Sequence, residues 1–246
     1  MFLSLIALAV AVDPPSLDTP VDTGVRARRD AALVVGNEDF AALPDATGAT
    51  RGADLFADFL VHTRGVDPDH VHRVANGSTS ALRAAIAATA KDVKRGGRLW
   101  VYWSGHGAVD AAGGRVLLGA EATADDRVGV ALADVVSAAN ASRAKDAVAL
   151  IDVGFGGEGR IGEVLFPAPV EAPSPIAGSA RVVVWSATTA AEPAKLYPAT
   201  NHGIFTYFAV GALRGWADEQ PNDNLVTVTE AQAWVAKVIR SVGGGE

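Results

Sequence analysis

Five short apolar runs punctuate the chain: Ala31–Val35, the weaker Val71–Val74, Leu99–Trp103, Ala147–Ile151 and Arg181–Trp185. Most are continuously apolar rather than alternating, the pattern of strands buried on both faces of a sheet. The segments between and after them carry apolar residues at helical spacing. Residues 52–64 place Ala53, Leu55, Phe56, Phe59 and Leu60 on one stripe, and Gly65 stops it. Residues 79–94 form an amphipathic helix with Ser78 or Thr79 as cap and Gly96-Gly97 as its end. Residues 131–142, 203–213 and 228–241 read as further helices. Strands alternating with helices predict an α/β fold: a mostly parallel sheet with helices on both faces, three layers in all.

In sheets of this kind, sites form outside the carboxyl ends of the strands. The polar and glycine-rich segments sit there: Gly36-Asn37, Ser104-Gly105-His106-Gly107, and Asp152-Val153-Gly154-Phe155-Gly156-Gly157. Glycines on both sides leave the His106 imidazole free to point into a cleft, and leave the N–H groups of Gly105 and Gly107 approachable as oxyanion donors. Position 154 follows His106 by 48 residues, on the end of the next strand. A caspase-type site has that layout, with the histidine ~50 residues upstream of a cysteine. Its chemistry needs a thiolate within reach of an imidazole, and backbone donors for the oxyanion.

The 246 residues contain no cysteine, which excludes disulfides, thiolate nucleophiles and cysteine metal sites. The net charge of −7 and the scattered aromatic residues argue against nucleic-acid binding. Residues 2–12 are continuously apolar but too short to span a bilayer, which takes ~20 residues. With Ala7-Leu8-Ala9 and Ala9-Val10-Ala11 as small-residue cleavage patterns, residues 1–12 read as a signal peptide for export to the periplasm or beyond. Residues 13–30, with three prolines between 14 and 20, read as a linker, and residues 31–242 as one domain.

Five segments together resemble the bacterial caspase-like and metacaspase family (clan CD, peptidase C14). They are Leu33-Val34-Val35-Gly36-Asn37, Leu43-Pro44, Ser104-Gly105-His106-Gly107, Asp152-Val153-Gly154-Phe155-Gly156 and His202-Gly203-Ile204-Phe205-Thr206-Tyr207. The resemblance covers roughly residues 30–240. It implies a caspase-like three-layer sandwich and an ancestral peptide-bond hydrolysis through a Cys–His dyad. It makes His106 the catalytic histidine and puts Gly154 where the cysteine belongs. Asp152 matches an acid of a pocket for basic side chains, and Trp185 and Ser186 fall in the region that lines the substrate groove. Where the family tends to start its first helix with Asn-Asp-Ala, this chain has Arg51-Gly52-Ala53.

Glycine has no side chain with which to attack a carbonyl. The reading that follows is an inactive homologue that keeps its groove and binds a peptide or protein there, with a Lys or Arg near Asp152. The alternative is an active cysteine endopeptidase family seen in a Cys-to-Gly form. Neither Ser104 nor Ser186 stands in the cysteine's place. Three other patterns are set aside. Gly154-x-Gly156-x-x-Gly159 matches a dinucleotide fingerprint, but Pro167, Pro169, Pro173 and Pro175 forbid the helix it needs. His70 and His72 share a strand face without a carboxylate-rich partner segment, so no metal is assigned to them. Asp218, Asn222, Asp223 and Asn224 offer oxygen ligands, but Pro221 breaks the calcium-loop spacing. No cofactor is expected, with calcium open only because some relatives use it.

Overall fold

The structure is a computed structural model and describes residues 14–166, 172–176, 179–189, 191–219 and 222–243. In chain order the main strands are β1 (Ala31–Gly36), β2 (Val71–Ala75), β3 (Arg98–Val109), β4 (Arg115–Leu118), β5 (Gly129–Ala131), β6 (Asp146–Gly154) and β7 (Val182–Ser186). β2, β1, β3, β6 and β7 lie side by side and parallel. The antiparallel hairpin β4–β5 joins the far end of β3. A two-residue pair, β8 (Leu196–Tyr197) and β9 (His202–Gly203), stands apart from the sheet. The expected strands all form. The hairpin went unread because β4 and β5 have four and three residues, too few for a period to show.

The helices are α1 (Ala49–Asp58), α2 (Thr79–Asp92), α3 (Leu132–Ala141), α4 (Ile204–Gly211) and α5 (Val228–Gly243). α1 and α4 each run on into a π-helical turn, to Thr63 and Trp216. Ser78 caps α2, its hydroxyl accepting from the Ala81 amide.

Side-chain alternation along the strands makes the three layers. Leu33, Val35, Leu99, Val101 and Trp103 point to one face, where α2 and α3 supply Leu82, Val135 and Ala139. Ala32, Val34, Trp100 and Tyr102 point to the other, against Phe56 of α1, Phe205 and Phe208 of α4, and Val235 of α5. Both faces are dry, which is why the strands read as unbroken apolar runs.

Residues 14–30 carry no regular element but are tied to the domain along their length. Leu17 is buried in the core. The Tyr207 hydroxyl donates to the Pro15 carbonyl at 2.6 Å, and Arg214 donates to the Leu17 carbonyl at 2.9 Å. Asp18 accepts from Arg51 at 2.6 Å and lies 3.0 Å from His202 Nε2. Residues 1–12, read as a signal peptide, lie outside the described residues. No described helix is long and apolar enough to cross a membrane.

Candidate active site

The apolar parts of β3 and β6 end at Trp103 and Ile151, but the pairing continues. Ser104 lies opposite Asp152, Gly105 opposite Val153, and His106 opposite Gly154. Neighbouring strands run about 4.8 Å apart, so the histidine backbone is directly beside the glycine backbone. Past His106 the strand changes partner, and Gly107, Ala108 and Val109 pair antiparallel with β4. His106 therefore sits within a continuous strand, at the residue where pairing switches, and not in a turn behind the strand.

The imidazole is buried, 3% exposed. Its Nε2 lies 2.8 Å from the carbonyl of Pro44 and donates to it, and the ring packs on Phe40 at 4.8 Å between centroids. Both partners come from the connection between β1 and α1. Burial pulls the His106 pKa down to about 4, outweighing the Pro44 carbonyl, which acts to raise it. The ring is neutral at neutral pH.

Opposite it, Gly154 has no room for a side chain. A Cβ built on it would lie 2.5 Å from the Ala194 nitrogen, 2.8 Å from Pro193 Cα and 2.9 Å from the Glu192 carbonyl oxygen. All three are backbone atoms, so no rotamer change relieves the contact. The Phe155 amide donates to the Glu192 carbonyl at 3.2 Å, which fixes the crossing segment in place. Two residues on, a Cβ at Gly156 would lie 2.7 Å from the Ala191 carbonyl oxygen. Residues 191–194 thus lie across the point where a nucleophile would emerge.

The flanking glycines are filled as well. A Cβ at Gly107 would lie 2.5 Å from Val153 Cγ1 and 2.7 Å from the Phe155 ring, and one at Gly105 would lie 2.9 Å from the Asn37 carbonyl oxygen. Their place in the sequence suggested an approachable edge; in the fold, close packing accounts for both. Asn37 itself is buried and ties its loop to the Gly77 loop and the end of β4, its amide donating to the Gly77 and Leu118 carbonyls and its oxygen accepting from the Gly77 amide.

Asp152, expected to receive a cation from a bound peptide, already holds one. Arg160, from the loop after β6, places Nη1 3.3 Å from Asp152 Oδ2 and donates from Nη2 to the Asp152 carbonyl at 2.6 Å. Nη2 also reaches the Ser104 hydroxyl at 2.8 Å. The two charged side chains are 2% and 1% exposed. Thr206 donates to Asp152 Oδ2 at 2.6 Å, and the Tyr102 hydroxyl lies 2.7 Å from Thr206 Oγ1. With Thr206 donating to the carboxylate, Tyr102 donates to Thr206. Burial raises the Tyr102 pKa well above its usual value, and the nearby Asp152 charge adds to this, so the phenol stays protonated. The Tyr102 hydroxyl fills the space beside Gly52, where a Cβ would come within 2.5 Å of it. The space beside Gly52 is thus filled by a neutral hydroxyl pair, Tyr102 and Thr206.

Trp185 lines a cavity with Trp100, Val148 and Leu213, away from His106 and Gly154. It is 8% exposed, belongs to the core on the α1 and α4 face, and meets Phe205 edge-on at 5.2 Å. The alternation of β7 sends its indole to that face. Ser186 ends β7, opposite Ile151, and its buried hydroxyl makes no hydrogen bond among the described residues. Ser104 Oγ is engaged by Arg160. The sequence reading missed Arg160, Phe40 and the Pro44 carbonyl. Only Arg160 left a trace: a lone cation in the glycine-rich loop behind an acid that the strand pattern buries. His70 Nδ1 and His72 Nε2 both face Asp92, at 2.7 Å and 3.0 Å. Asp218 accepts from the Asp223 and Asn224 amides. No group of three or more His, Asp or Glu arranged to hold a metal occurs among the described residues.

A parallel sheet between two helical layers, with a buried histidine opposite the end of the next strand, defines a caspase-like scaffold. The chain matches the Caspase domain (peptidase C14) over residues 29–241 and belongs to that family. No curated protein matches it.

Proposed function

We propose that this chain is a peptidase C14 homologue that does not hydrolyse peptide bonds, with a substrate groove filled by its own residues. One observation carries the reading: the backbone of Glu192–Ala194 occupies the space into which a side chain at position 154 would project. It supports a glycine built into the fold over a cysteine lost from an otherwise working site. Three further features agree with it. No thiol exists in the chain. His106 spends its Nε2 proton on a backbone carbonyl. The acid that would attract a basic substrate is neutralised internally.

The test is a degradomics assay: incubate the purified chain with a proteome-derived peptide library and sequence the products by mass spectrometry. The expected result is no cleavage above a buffer control. Site-specific cleavage that disappears in His106→Ala would overturn the proposal.

A further inference from the structure

The Asp152 pocket closes around a guanidinium that arrives from within the chain. Arg160 sits six residues past Gly154, in the loop that follows the nucleophile position. That loop folds back on itself: Glu158 and Val164 form a β-bridge, and the Gly159 amide donates to the Glu163 carbonyl at 2.7 Å. Ile161 and Val164 are 62% and 72% exposed. Arg160 turns the other way and is 2% exposed along its side chain. Its backbone carbonyl accepts from the Leu196 amide at 3.2 Å, which joins this loop to the segment that covers Gly154. Gly203 lines the same pocket, and any side chain there would collide with the Asp152 carboxylate and the Arg160 guanidinium. The pocket wall is therefore cut to fit the pair.

We infer that Arg160 is an intramolecular occupant of the Asp152 pocket: it takes there the part of a basic peptide side chain and so excludes one. The inference rests on reading the filled cleft as a peptide groove. The ligand class follows from the pocket's own acceptors. The Asp152 carboxylate, the Asp152 carbonyl and the Ser104 hydroxyl receive two nitrogens of one planar group, which suits a guanidinium better than a compact ammonium. An alkylguanidinium is the chemistry that would enter once Arg160 is gone.

The test removes the occupant and offers a replacement. Arg160→Ala deletes the side chain beyond Cβ, which is ethylguanidinium in size and charge. The unmodified chain and the variant are melted with ethylguanidinium, and with neutral ethylurea as the control. The variant's Tm is expected to rise by about 5–10 °C at a concentration roughly 100 times the Kd, with no rise in ethylurea and none for the unmodified chain. If Arg160→Ala does not fold unaided, refolding with ethylguanidinium replaces the melt, and recovery of folded protein is the expected result. Equal stabilisation of both proteins, no stabilisation of the variant, or no recovery on refolding each overturns the inference. Hydrolysis by the unmodified chain is a separate readout, so failure here leaves the non-hydrolytic reading standing, and the reverse also holds.

Discussion

Restoring a cysteine at position 154 is the perturbation that best separates a built-in glycine from a vacated site. The backbone of Gly154 does not adopt a left-handed conformation, so a side chain there is opposed by space and not by dihedral strain. The new Cβ meets three backbone atoms at 2.5–2.9 Å, and ordinary carbon contacts need about 3.5–4.0 Å. The segment 192–194 must move. Overpacking of this kind costs roughly 1–3 kcal/mol. Moving the segment also stretches the Phe155–Glu192 hydrogen bond, at about 0.5–1.5 kcal/mol. Gly154→Cys should therefore lose about 2–4 kcal/mol, a Tm drop of roughly 4–16 °C for a chain of this size. Gly154→Ala should lose nearly as much, because the Cβ makes the collision. Scanning calorimetry of the three proteins gives the answer. A Gly154→Cys protein as stable as the unmodified chain would refute the reasoning, and peptidase activity in that protein would refute it twice.

Three other perturbations test neighbouring parts of the site. Arg160→Ala leaves Asp152 as an unpaired buried charge and should cost about 3–5 kcal/mol by denaturant titration, while Asp152→Asn combined with Arg160→Met should recover most of it. His106 has a folded pKa of about 4, below its ordinary 6.5, so the unfolded chain takes up the proton first. Its contribution is intact above pH 6.5 and is lost as the pH falls towards 4, up to about 3 kcal/mol in all, with His202 shifted in the same direction by burial. The urea midpoint should fall as the pH drops across that range for the unmodified chain, and fall less for His106→Gln. Gly52→Asp drives a side chain into the Tyr102 hydroxyl, and its carboxylate adds a like charge to the pocket of Asp152. It should lower stability by roughly 1–3 kcal/mol or more, read by thermal melting.

The layers of this fold were legible because burial on both faces writes an unbroken apolar run, as in Ala31–Val35. The pairing of His106 with Gly154 followed from two glycine-rich motifs at the ends of strands that are neighbours in the sheet. The limits of the strands were not legible: Ser104–His106 and Asp152–Gly154 are polar or small, and only backbone pairing keeps them in the sheet. The packing of the glycines was not legible, for a physical reason. Glycine in a sequence marks either an open edge or a close approach, and composition does not distinguish them. At Gly105, Gly107, Gly154 and Gly156 the close approach is the one realised. Asp152 was read alone because its partner lies eight residues away in a loop without periodicity. The facing of Trp185 depended on a parity that the short β7 run does not announce.

The central claim is that the groove is already occupied by the chain's own residues. Calorimetric titration of peptides bearing Arg or Lys into the unmodified protein tests it most directly. The account predicts no saturable binding at millimolar peptide. Saturable binding that is lost in Asp152→Asn, with that variant shown to be folded, would contradict it.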